Sequence, residues 1–272
     1  MATQIETAQR DIVMVEDAHI RPMMGNQVLE SLPSRHILYS LVDPYILVHE
    51  AEVKIDPAQA AQDTAHPHRG FDNLWYAITG SSSTGHSTGP DGAFERAKLD
   101  EGSVLFIRTG RGVLHAEGLG EDERREGKVT SMRGLLFWVN LARKDKKVEP
   151  FAKVVQPNDV PVRTDGDATI RVLVGEGSPI ELGTPGLILD VQLPQGGKVS
   201  IPVTAGFNGF VHMLDAEASL GANRSRAKRG QIAVLGPGTT LGVEGAQPGT
   251  RFMLMAGKPY GENPIYNGPY VD

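Results

Sequence analysis

The chain has 272 residues, room for one large or two small domains, and its net charge of −6 with pI near 5.8 argues against a broadly basic surface for nucleic acid. It contains no cysteine, which excludes disulfides and thiolate metal sites and suits a reducing compartment. No apolar run approaches the roughly 20 residues that span a bilayer, and charges at Glu6, Arg10, Asp11, Glu16 and Asp17 stand where a signal peptide would have an apolar block. A cytoplasmic location is expected, without membrane or direct nucleic-acid partner.

Thirty-two glycines and eighteen prolines, well above the roughly 12% of average usage, suit many short strands joined by turns. In chain order, residues 12–15, 36–39 and 45–48 read as strands, with Asp43-Pro44 turning between the last two. Residues 58–65 are polar and alanine-rich, a loop or a single helical turn. Residues 73–79 read as a strand ending at Gly80, 81–92 as a Ser/Thr/Gly loop, and 104–108 as a strand closed by Gly110-Arg111-Gly112. A highly charged insertion fills 118–128. Residues 135–141 form an apolar run long enough for a strand buried on both faces, and the charged 143–147 reads as a domain linker.

The second half repeats this order. Setting Phe71 against Phe207 places residues 71–76 beside 207–212, Gly110-Arg111-Gly112 beside Gly236-Pro237-Gly238, and 135–141 beside 251–256. His66 and His68 then fall on Pro202 and Thr204, and His115 and Glu117 on Leu241 and Val243. A duplication that kept one ligand set is the economical account. Neither half alternates strands with helices, so the expected fold is all-β: two tandem antiparallel β-barrels with few short helices.

The chemistry concentrates in His66-Pro67-His68 and His115-Ala116-Glu117, with 46 residues between them. On a strand, residues i and i+2 point to the same face, so each pair can aim at one point. If the two strands lie side by side or face each other, four ligands converge on one metal ion. A lone His-x-His is more often a pair of satisfied structural histidines than a metal site; the second pair after a glycine-rich turn shifts the balance. Imidazole and carboxylate without thiolate suit Fe(II), Ni, Mn, Co, Cu or Zn with open positions.

The motifs His66-Pro67-His68-Arg69-Gly70-Phe71, Thr109 to Glu117 (TGRGVLHAE) and Leu136 to Leu141 (LFWVNL) resemble the pirin family of the cupin superfamily. The segment Asp43 to Leu47 (DPYIL) and the closing Gly257-Lys258-Pro259, Glu262-Asn263-Pro264-Ile265 and Gly268-Pro269-Tyr270-Val271 extend the likeness, which is dense over 66–141 and thin in the second half. The resemblance implies a bicupin, with a metal-binding barrel over 1–145 and a barrel without ligands over 146–272. It implies one divalent metal, usually iron, held by His66, His68, His115 and Glu117. Some bacterial pirins act as quercetin 2,3-dioxygenases, and eukaryotic pirin is a transcriptional co-regulator that binds protein partners.

Two functions follow as expectations. One is a metal-dependent dioxygenase of the quercetinase type, cleaving a flavonol or similar enediol with O₂ while Glu117 acts as base. The alternative is a redox-responsive regulatory protein that binds protein partners without turnover; a metal of purely structural use is a third. Asp72 holds the place of a glutamate ligand in ordinary cupins, yet reads here as a hydrogen-bond partner behind a ligand. His86 reads as surface or pocket rim rather than a ligand, and His212 as structural. Arg69, Phe71, Arg111, Trp138 and Asn140 are candidates to line the pocket, Phe71 and Trp138 equally for the core. The basic runs 143–147 and 224–229 read as solvated loops.

Overall fold

The structure, a computed structural model, describes residues 8–23, 26–56, 65–118, 125, 127 and 130–272. The fold is all-β, built from antiparallel ladders. Two compact units interleave along the chain: one holds residues 19–33, 45–160 and 262–272, the other 1–18, 34–44 and 161–261. They are called here the first and second barrels. No helix among the described residues is long and apolar enough to cross a membrane.

In the first barrel a seven-stranded sheet runs in the order Phe151–Val155, Val104–Arg108, Phe71–Gly80, Thr130–Asn140, Tyr45–Ile55, Asn26–Leu32, His19–Met23. A four-stranded sheet of His66–His68, Val113–Gly118, Ser82–His86 and Glu95–Leu99 belongs to the same unit. The second barrel repeats the plan. Its large sheet is ordered Ile12–Asp17, Gln231–Leu235, Asn208–Asp215, Thr250–Gly257, Gly186–Leu193, Ala168–Val174, Val162–Asp165. Its small sheet is Lys198–Pro202, Thr240–Gly245, Glu217–Leu220, Ser225–Lys228. The duplication read from the sequence is therefore present strand for strand.

The division differs from a serial cut near residue 145, for a reason visible in the ladders. The edge strand of the second barrel's large sheet is the first strand of the chain, Ile12–Asp17, paired with Gln231–Leu235. The chain's last residues belong to the first barrel, where the Val271 N–H donates to Arg69 O (2.9 Å).

Three local expectations are corrected. Residues 36–39 are not a strand: Ser34 Oγ accepts from the His36 and Ile37 N–H groups (3.1 and 3.3 Å), a serine turn that competes with ladder formation, and the helical turn Tyr39–Val42 follows. Within 81–92, Ser82–His86 is a buried strand paired on both edges, with Val113–Gly118 and with Glu95–Leu99; pairing overrides the weak strand preference of Ser and Gly. Residues 224–229 contain the strand Ser225–Lys228. The polar stretch 58–65, apart from Ala65, and most of the insertion 118–128 lie outside the described residues.

Candidate functional site

The two His-x-acceptor pairs lie on adjacent strands. His66–His68 runs antiparallel to Val113–Gly118, with His115 opposite His66 and Val113 opposite His68. Ring centroids are 4.7 Å apart for His66–His68, 5.4 Å for His66–His115 and 5.8 Å for His68–His115. His115 Nε2 stands 3.3 Å from Glu117 Oε1. The structure thus brings all four expected side chains together on neighbouring strands, although among the described residues no group of three or more His, Asp or Glu is arranged closely enough to hold a metal ion as it stands.

Their electrostatics are those of a shielded cluster. Burial, then the neighbouring His115 and His66, push the His68 imidazole down to about 3, so it is neutral at neutral pH. Burial alone would raise the Glu117 carboxyl; the His115 hydrogen bond and the three imidazoles outweigh it and hold the group below its ordinary value. Its side chain remains 42% exposed, against 2% for His115, so the carboxylate forms the open side of the cluster. Nδ1 of His68 and of His115 are buried without a protein partner.

An aromatic wall adjoins the cluster. Phe71 and Trp138 stack with centroids 4.1 Å apart, and His68 meets Phe71 at 5.5 Å and Trp138 at 5.3 Å. Both rings pack against the cluster, Phe71 as a fully buried core residue. His86, expected at the surface or a pocket rim, is buried in the strand Ser82–His86 directly opposite His115, and its Nδ1 pairs with Thr88 Oγ1 (2.9 Å). The sequence signal for this placement is the i, i+2, i+4 row Ser82, Thr84, His86, masked by its Ser/Gly composition.

Other candidates are moved elsewhere. Asp72 does not continue the row of His66 and His68: its carboxylate receives two hydrogen bonds from Arg108 (2.8 and 3.0 Å). The reason is a break in the strand after His68, where Gly70 adopts φ +90°, so the parity of His66 and His68 does not carry on to Asp72. A Cβ at Gly70 would strike Val271 O. Arg69 pairs with Asp272 (2.8 Å) and lies over the Tyr270 ring, while Arg111 pairs with Glu149 at the surface. Neither lines the site. Lys146, assigned to a solvated run, is buried and donates to Gly70 O (2.9 Å), Asn140 Oδ1 (2.7 Å) and Val271 O (3.2 Å). His212 is buried in the second barrel's sheet, as a structural histidine would be.

At the corresponding positions the second barrel has no histidine or acid. Leu241 is paired with Ile201, and Val203 donates its N–H to Thr239 O. With Leu241 in the place of His115, the counterparts of His66 and His68 are Ile201 and Val203, not Pro202 and Thr204. Ile201 and Val203 are buried, whereas Pro202 and Thr204 are exposed; a slip of one residue exchanges the two faces of a strand.

Comparison with known proteins agrees with this architecture. The description of the Pirin C-terminal cupin domain matches residues 188–272. Pirin of Rattus norvegicus is 31% identical over 238 residues, covering 85% of this chain and 77% of that protein. Among solved structures, quercetin 2,3-dioxygenase from Acinetobacter baumannii superposes with a TM-score of 0.82 at 21% identity, covering 97% of this chain and 92% of the other. Bacterial pirin YhhW from Escherichia coli, in complex with nickel(II), gives 0.64 at 11% identity over 90% and 99%. These two likenesses speak to the fold, and the rat relative to descent: the chain belongs to the pirin family.

Proposed function

We propose that the protein is a metal-dependent dioxygenase of the quercetinase type, acting on a flavonol or similar enediol with O₂. One observation carries the reading: three imidazoles and one carboxylate are brought together on neighbouring strands of a barrel whose twin has Ile201, Val203, Leu241 and Val243 there. With metal–nitrogen bonds of about 2.1 Å, imidazoles sharing one ion have centroids roughly 4.5–6.4 Å apart. The observed 4.7–5.8 Å fits that range, and small side-chain rotations would bring the donors together. His66, His68, His115 and Glu117 would hold one divalent ion, Fe(II) first, with Ni, Mn, Co, Cu or Zn as alternatives. The nickel(II) complex of YhhW and the dioxygenase of A. baumannii support this choice of chemistry.

Bound there, the ion would supply Lewis acidity toward a hydroxyl oxygen. The residues supply the rest. His68, neutral through burial, offers a lone pair without first losing a proton. Glu117 is the base: its carboxylate is ionised and on the open side, placed to accept the substrate hydroxyl proton at Oε. Trp138, stacked on the buried Phe71, presents a flat aromatic wall beside His68, suited to stacking a flavonol ring and excluding water. The lack of cysteine suits a cytoplasmic setting.

Elemental analysis tests the ligand set: about one ion per chain is expected, with near-complete loss in His68→Ala. Quercetin loss is then followed with and without air in Fe- and Ni-loaded protein, where oxygen-dependent turnover is expected. Metal-loaded protein that consumes no flavonol under any metal sinks the enzymatic reading and leaves the redox-responsive, partner-binding one.

A further inference from the structure

The inner face of the first barrel carries polar atoms that the proposed ligand set does not use. Asn73 stands across the ladder from Trp138, and Trp138 across from Leu47. Cross-strand partners share a face, so these three form one row. His49, two residues beyond Leu47, shares that face in the next row, opposite Leu136. The row borders the metal cluster, since the Trp138 ring lies 5.3 Å from His68. Asn73 Oδ1, Trp138 Nε1 and His49 Nδ1 are all shielded from solvent with no protein partner. Asn73 is 1% exposed and His49 4%.

The fold does not require this polarity. In the second barrel Gly209 stands across from Ala256, Ala256 across from Leu187, and Leu189 follows; Leu189 and Ala256 join an apolar core there. Unpartnered buried polar atoms are costly and uncommon, and here three share one face of the sheet, the face whose Trp138 ring packs against His68.

The hydrogen-bonding sense of each atom can be assigned. His49 Nε2 is 2.8 Å from Glu30 Oε2. A carboxylate only accepts, so Nε2 carries the hydrogen and Nδ1 of the neutral ring is an acceptor; burial favours that neutral form. Asn73 Oδ1 also accepts, and Trp138 Nε1–H donates. Two acceptors and one donor on the face that carries Trp138 match hydroxyl groups on an aromatic ring, which both donate and accept.

We propose that Asn73, Trp138 and His49 form a hydroxyl-recognition subsite that selects polyhydroxylated aromatic ligands, binding ring hydroxyls other than the one facing Glu117. The inference rests on the flavonol reading above and deepens it. Quercetin and 3-hydroxyflavone, which lacks the additional ring hydroxyls, are titrated anaerobically into metal-loaded protein by calorimetry, so turnover does not enter. The wild type is expected to favour quercetin by about tenfold or more. Asn73→Leu should reduce that ratio to about two or less, and Trp138→Phe, which removes the indole N–H, to about three.

Equal binding of both ligands by the wild type overturns the subsite, as does an Asn73→Leu protein with undiminished preference. Should Asn73→Leu fail to fold, the Trp138→Phe ratio decides in the same way. Binding of neither ligand removes the subsite together with the flavonol reading. A preference lost in the variants, in a protein that consumes no flavonol in air, supports the subsite and removes only the oxygenase activity.

Discussion

The two barrels are one plan executed with opposite interiors. Where the first has His66, His68, His115 and Glu117, the second has Ile201, Val203, Leu241 and Val243; where the first has His49 and Trp138, the second has Leu189 and Ala256. The second barrel shows what stability alone favours inside such a fold, a continuous apolar core. The polar interior of the first is therefore a departure, and departures from local stability rules gather at functional sites.

The sharpest way to break this comparison is to make the first barrel resemble the second. His115→Leu, the residue found at 241, removes a donor and the 3.3 Å partner of Glu117. Metal occupancy should fall at least about tenfold, with any turnover. Metal-free protein should become more stable by about 1 kcal/mol, because a buried imidazole with an unpartnered Nδ1 is exchanged for an apolar side chain. Melting with and without chelator checks both: the wild type should lose stability on chelation, and the variant should not. The reverse exchange, Leu241→His, should cost about 2–4 kcal/mol, by loss of packing and burial of a polar ring. It should capture no metal, since Ile201, Val203 and Val243 offer no second donor.

The comparison also explains what was legible in the sequence. The ligand pairs were legible because i, i+2 spacing on a strand is fixed by backbone geometry, and the apolar run 135–141 because a doubly buried strand has few polar positions. Ser82–His86 was not, because its membership is decided by two flanking strands, and its small residues serve packing: a Cβ at Gly85 would strike the Phe94 ring. Asp72 was misplaced because parity counting assumes an unbroken strand, which Gly70 interrupts. The Pro202 and Thr204 assignments failed because the connection from this strand to Phe207 is one residue longer than that from His66–His68 to Phe71, which an alignment on the two phenylalanines does not resolve. The interleaving was invisible, because nothing in residues 12–17 says which of two similar sheets they join.

One further likeness between the barrels turns on a buried cation. In the second, Arg10 lies just before the edge strand Ile12–Asp17 and donates to Phe207 O, Gly236 O and Thr204 O (3.0 Å each). In the first, Lys146 precedes the edge strand Phe151–Val155 and donates to Gly70 O, Asn140 Oδ1 and Val271 O. Both clamp the turn before the Phe71 or Phe207 strand. Lys146→Met should leave three buried acceptors without their donor and cost about 2–3 kcal/mol, measurable by urea unfolding.

The cations differ in one respect that yields a smaller effect. Arginine keeps its proton throughout the accessible range, whereas burial pushes the Lys146 ammonium from 10.5 down to about 8, against the opposing pull of Asp272 and Glu262. Between those two pH values the unfolded chain holds a proton that the folded one has released, so this group makes stability rise as pH increases from about 8 to 10.5. The gain follows from the fall in pKa alone and is on the order of 1 kcal/mol once solvent screening of a partly solvated group is allowed for. Urea unfolding at pH 7.5 and 10, compared between wild type and Lys146→Met, isolates the term: the stability difference between the two proteins should change with pH by that amount. A difference that stays constant would mean that Lys146 keeps its proton, as Arg10 does, and that the two clamps are equivalent in charge as well as in place.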